Sequence, residues 1–166
     1  MPADPRGGRL QRLGAGAARI LRPKGRKAAP APPAHPGTTG VIIDGVAVAY
    51  DPEHDGAPDP GEVVWAWVPY EEDANQGKDR PVVIIGWDGP LLAGVPLTSK
   101  DPSHRRDEST KVPVGTGGWD RERRPSWADA DRLLRFAPAD VRREGSALDR
   151  VRFDAVVARV RELHGW

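Results

Sequence analysis

The chain has 166 residues, 38% hydrophobic and 30% charged, the length of one domain with a modest core. It has no cysteine, which excludes a disulfide framework, a thiolate nucleophile and a thiolate metal site. The four histidines, His35, His54, His104 and His164, are scattered without metal-ligand spacing, so the expected chemistry uses neither a metal nor any other cofactor.

Charge divides the chain: residues 1–36 carry eight Lys and Arg against one Asp, net +7, while the remainder is net −6. Residues 1–40 read as a basic, Pro- and Ala-rich arm that buries too little apolar surface to offset its ordering entropy and is predicted to be disordered. Its charge adds salt-sensitive attraction to nucleic acid. Residues 41–59 read as a loosely packed lead-in, with a short strand in "VIIDGVAVAY" followed by turn chemistry in "DPEHDGAPDPG".

The folded domain is placed at residues 60–166. "EVVWAWV" (62–68) is a strand with Val64, Ala66 and Val68 on one face and Val63, Trp65 and Trp67 on the other. Both faces are apolar, so the second needs a cover. An acidic loop, "PYEEDANQGKD", leads to the strand "RPVVIIGW", with Pro81 at its first residue, where a missing N–H is tolerated. "DGP" turns the chain and "LLAGVPLTSK" returns it. The polar "DPSHRRDEST" follows, then a strand in "KVPVGTGG" and a last strand in "SWADADRLLRF" (126–136).

Five or so short antiparallel strands at hairpin spacing imply a small barrel or rolled sheet. Phe153, Val156, Val157, Val160 and His164 then fall on one stripe of a closing helix. Ser146 or Asp149 can cap its start and Gly165 its end. No apolar run is long enough to span a bilayer, and Arg19 interrupts the N-terminal apolar stretch, so a cytoplasmic protein without membrane contact is expected.

Two residues draw attention by their place in this pattern. Arg80 lies nine residues before Gly89 and Thr98 nine after it, so a simple hairpin register sets them side by side at one rim of the sheet. A planar cation and a hydroxyl would then face one guest, and phosphate oxygens suit both. His104 sits in a polar loop and reads as a surface histidine. Lys78, Arg105 and Arg106 supply further cations suited to phosphate oxygens.

"PGEVVWAWVPYEED", "GKDRPVVII", "VPLTSK" and "ADADR", in this order, resemble the successive signatures of the MazF/PemK family of toxins from type II toxin-antitoxin systems. The resemblance covers residues 60–166. It implies a mainly β, SH3-like antiparallel barrel with a C-terminal helix, and a homodimer. It further implies metal-independent, sequence-specific cleavage of single-stranded RNA by its own 2′-hydroxyl, and a cognate antitoxin as partner. It assigns the catalytic arginine to Arg80, the catalytic threonine to Thr98 and a supporting position to Ser99. Glu71 is the first choice for the acidic residue before the "RP" pair that acts as base, with Glu72 and Asp73 as alternatives. Asp131 matches an acidic position read as structural or dimer-facing. The competing expectations are a CcdB-like toxin that binds gyrase and a catalytically silent interaction module.

Overall fold

A computed structural model describes the backbone of residues 41–43 and the whole of residues 45–53 and 56–165. The expectation of a disordered basic arm concerns residues 1–40 and lies outside the described residues. The elements in chain order are β1 (Val41–Ile43), β2 (Val46–Val48), β3 (Glu62–Pro69), β4 (Gly77–Asp88) and β5 (Leu91–Thr98). They continue with β6 (Lys111–Gly115), β7 (Ser126–Asp129), β8 (Leu134–Phe136), β9 (Arg142–Ala147) and the helix α1 (Arg150–His164).

β4 organises the sheet. Its first half pairs with β3, from Pro69↔Gly77 to Val63↔Val83, and its last three residues pair with β2 along the same edge. Its other edge carries β5. Beyond β5 lie β7 and then β6, with β8 also on β5 and β9 on β3. Every pairing is antiparallel. The expected mainly β fold with a C-terminal helix is present, as a rolled sheet whose hydrogen-bonded path among the described residues does not close.

Period-2 alternation gives the sheet two apolar faces. Val63, Val83, Ile85, Val95 and Leu97 point to one, where Phe153, Val156, Val157 and Val160 of α1 cover them. Val64, Ala66, Val68, Val82, Ile84, Leu92 and Phe136 form the second cluster, closed by Trp87, Leu134 and Val141. Each fully buried side chain of this size contributes roughly 1.5–3 kcal/mol. The helix starts as its sequence suggests: the Asp149 carboxylate accepts from the Arg152 amide at 3.0 Å, and Gly165 ends the helix at φ 73°.

Several elements differ from the sequence reading. Pro81 is the fifth residue of β4, which begins at Gly77; pairing with β5 starts only at Val82, so the proline sits where that edge is still open. The expected last strand, 126–136, is two strands separated by a turn in which the Arg132 amide donates to the Asp129 carbonyl at 3.0 Å. A further strand, β9, follows; "RREGSA" lacks any apolar alternation because it pairs along an edge of β3 with mostly exposed side chains. The segment expected to be a loose lead-in instead supplies β1 and β2, with Val46 fully buried. Tyr50 stacks on Phe153 with ring centroids 4.9 Å apart and donates its hydroxyl to the Leu148 carbonyl at 2.8 Å.

β2 reaches β4 because residue 86 is glycine: a Cβ there would lie 2.2 Å from the Ala47 carbonyl oxygen. Gly86→Ala is therefore expected to push β2 off the sheet and cost about 2–3 kcal/mol, in the range of overpacked cores. Urea denaturation monitored by tryptophan fluorescence measures it, and an unchanged midpoint would show that β2 contributes nothing to the fold.

Candidate active site

The register between β4 and β5 changes along the hairpin. Next to the Gly89–Pro90 turn the pairs are Asp88↔Leu91, Trp87↔Leu92 and Gly86↔Ala93; past a bulge at Ile85 they become Ile84↔Gly94, Val83↔Val95 and Val82↔Pro96. Continued without the bulge, Arg80 would stand opposite Ser99. The extra residue restores Arg80 to the level of Thr98 and keeps both on the face that carries Val82 and Ile84.

Arg80 and Thr98 line two adjoining cavities. The larger, about 240 Å³, is also lined by Tyr70, Glu71, Glu72, Lys100, Arg105, Lys111, Asp129 and Arg132. The smaller, about 170 Å³, adds Trp65, Lys78, Ser99 and Arg124. Arg80 and Thr98 thus stand where the two meet, together with Lys100. The Arg80 Nε is buried without a hydrogen-bond partner among the described residues. An arginine donor withdrawn from water and unpaired costs stability unless a guest supplies the acceptor.

Thr98 is held by its own turn: its Oγ1 accepts from the Lys100 amide at 3.2 Å, which leaves the hydroxyl hydrogen to donate elsewhere. Lys78 is held below the usual lysine range, first by partial burial and then by repulsion from Arg80 and Lys100. Three cations thus crowd one rim.

The other expected residues divide. Ser99 lines the smaller cavity and Arg105 the larger. Arg106 is exposed and lines neither. Glu71 reaches the larger cavity, with its carboxylate mostly in water and 3.5 Å from the Arg132 guanidinium. Glu72 lines the same space. Asp73 turns back into its own loop, accepting from the Asn75 amide at 2.9 Å and the Gln76 side chain at 3.1 Å. His104 is exposed at φ 68° and lines neither cavity.

The lining residues that carried no catalytic or binding assignment from sequence include the charged Lys100, Asp107, Lys111, Asp129 and Arg132. Lys111 pairs with Asp129 at 2.5 Å and with Asp107 at 3.2 Å. The Asp129 carboxyl is pushed up to about 6, mainly by burial and further by a hydrogen bond with Asp131, against the opposing pull of Lys111. "ADADR" contains Asp129 and Arg132, but the motif alone does not say which of its acids turns inward.

Residues 59–164 match the family described as PemK-like, MazF-like toxin of type II toxin-antitoxin system. The chain belongs to this family. MazF from Deinococcus radiodurans shares its fold at 17% identity, with 68% of this chain and 100% of that one covered and a TM-score of 0.52. An endoribonuclease in complex with its cognate antitoxin from a mycobacterial species is similar at 16% identity over 66% of this chain and 96% of that one, with a TM-score of 0.48. The Mycobacterium tuberculosis toxin MazF-mt6 is similar at 18% identity over 61% of this chain and 96% of that one, with a TM-score of 0.44. No curated protein sequence matches the chain. Among the described residues, no helix of this PemK/MazF protein is long and apolar enough to cross a membrane.

The raised Asp129 value makes a stability prediction. A carboxyl whose folded value, about 6, exceeds the 3.8 usual for an aspartate binds its proton more tightly in the folded state. It therefore contributes stability at low pH that is lost as pH rises from about 4 through 6. Asp129→Asn should remove that decline, so that the variant gains on the wild type across this window. Thermal unfolding of both proteins at several pH values checks it; curves that stay parallel would contradict it.

Proposed function

We propose that this PemK/MazF-family chain is the toxin of a type II toxin-antitoxin pair and acts as an endoribonuclease on single-stranded RNA. The observation that carries the reading is Arg80: a half-buried guanidinium with an unpartnered Nε, level with Thr98 at the junction of two cavities. Cations at Lys78, Lys100 and Arg105 line the same spaces. An RNA strand laid across the junction would put one phosphate at Arg80 and a neighbouring nucleotide in each cavity.

Cleavage by the 2′-hydroxyl of the preceding ribose requires stabilisation of charge on the phosphorus oxygens and a proton acceptor, and needs no metal. Arg80 supplies the charge as a bidentate donor; its very high basicity suits it to that role and not to proton transfer. Thr98 donates its free hydroxyl hydrogen to a nonbridging oxygen. Lys78, Ser99 and Arg105 hold the flanking backbone, with Arg106 available to phosphates further along the strand. The acidic body confines binding to this local groove. An RNA bound here would be displaced by a cognate antitoxin covering the same face.

Arg80→Ala is expected to abolish cleavage of a single-stranded RNA and the growth arrest caused by induced expression, with the fold retained. Thr98→Ala should lose about 2–4 kcal/mol of transition-state stabilisation, as for one oriented donor. Gel-resolved cleavage kinetics with both variants measure this. Normal cleavage by Arg80→Ala would remove the assignment, and growth arrest without RNA cleavage would favour the gyrase-binding alternative.

A homodimer is proposed on the remaining aromatic surface. Trp65 is half-buried and donates its indole N–H to the Trp119 carbonyl at 3.2 Å. Trp67, on the same face of β3, stays 49% exposed, and Tyr70 nearby is 37% exposed. A second copy would cover them. Light scattering at micromolar concentration should give a dimeric mass, converted to a monomeric one by Trp67→Glu; a monomeric wild type would refute the proposal.

A further inference from the structure

Asp129 is the one buried acid that lines the larger cavity among the described residues. Its place follows from register. Thr98 pairs with Trp127 across the β5–β7 ladder, and Asp129 lies two residues further along β7, on the same face as Trp127. It is thus a diagonal neighbour of Thr98, a relation that brings side chains about 7–8 Å apart at their bases. Lys111 is its direct partner across the β6–β7 ladder. Arg80, Thr98, Asp129 and Lys111 therefore follow one another across four strands on one face.

On the RNA-cleaving reading above, we propose that Asp129 is the proton acceptor for the attacking 2′-hydroxyl and that Lys111 is the positioning residue that orients its carboxylate. In the step, the 2′-oxygen forms a bond to phosphorus as its proton passes to Asp129. The P–O5′ bond breaks with its electron pair leaving on O5′, which takes a proton from solvent water. Arg80 and Thr98 hold the nonbridging oxygens throughout. The fragments carry a 2′,3′-cyclic phosphate and a 5′-hydroxyl, and Asp129 returns its proton to solvent.

The surroundings suit Asp129 to this task better than Glu71. The Glu71 carboxylate is 62% exposed and lies against Arg132. The Asp129 side chain is 11% exposed, and its cation is shared, because Lys111 also binds Asp107. Asp131 adds a second acid in hydrogen-bond contact with Asp129. Burial raises the Asp129 carboxyl to about 6, with the hydrogen bond to Asp131 adding to the rise and Lys111 opposing it, a value suited to accepting a proton near neutral pH. The other titratable or charged groups that line the cavity with it are Arg80, Lys100, Arg105, Asp107 and Arg132, with Glu71, Glu72 and Tyr70.

The test is single-turnover cleavage of a short single-stranded RNA by the full-length wild type, D129N, K111M, E71Q and R80A across a pH series. Wild-type rates should rise with pH through an inflection near 6 and then level. D129N should be about 100-fold slower or more on the plateau and show no inflection. K111M removes a cation that favours the charged carboxylate, so its inflection should move to higher pH. E71Q should keep the inflection where the wild type has it.

An inflection retained in D129N, or moved by E71Q instead, overturns the assignment. If D129N does not fold, K111M decides: an unmoved inflection overturns the assignment and a raised one supports it. Wild-type protein that leaves RNA intact overturns the RNA-cleaving reading and this assignment with it. Wild-type and R80A rates that differ as expected, beside a D129N rate equal to wild type, overturn the assignment alone.

Discussion

The rest of this protein depends on the pairing of one long strand, β4, whose twelve residues are shared among three partners. A strand paired along both edges is held in register by every neighbour, and a slip of one residue would exchange its faces. β4 tolerates one such irregularity, at Ile85. Because β2 occupies residues 86–88 on one edge and the β5 turn fixes the same residues on the other, the bulge is confined to that place. Its consequence is felt five residues away, at Arg80. A packing detail in the core thus decides which hydroxyl the guanidinium meets.

Burial of charge is the second theme. Glu62, almost completely buried, binds Arg143 through both carboxylate oxygens and also accepts from the Asp59 amide at 3.0 Å. That acid has its partners, and it joins β3 to β9 beneath a bulged ladder. Asp129 differs, since its cation is divided with Asp107 and a third acid stands nearby. Arg80 differs in the opposite sense, having a withdrawn donor with no acceptor among the described residues. Buried polar groups left short of partners cost stability, and here the two lie on one face of the sheet, lining one cavity. Such places are where a fold holds groups ready for a guest.

Much of the architecture was legible in the chain. The helix stripe of Phe153, Val156, Val157 and Val160 and the cap at Asp149 are local, since their spacing is fixed by helical geometry. The two faces of β3 also follow from short-range alternation, whereas the Arg80–Thr98 level depends on the bulge at Ile85, which counting around the turn does not reveal. β9 was not legible because an exposed edge strand has no apolar period to display. The two strands within 126–136 read as one because the turn between them uses charged residues and no glycine or proline. Residues 46–50 read as loose because their partners, Gly86, Leu148 and Phe153, lie far along the chain.

The sequence by itself determined the kind of fold and the family, because these rest on local periodicity and on motifs that keep their order. Only the tertiary structure decided the surroundings of the residues at the junction. Lys111 and Asp129 are eighteen positions apart, and Glu71 and Arg132 sixty-one. Whether one acid of "ADADR" turns inward and its neighbour outward depends on which strand lies beside it and in what register. The basicity of a carboxyl depends in turn on burial and on the charges brought to it from elsewhere in the chain. Neither quantity exists until distant strands have paired.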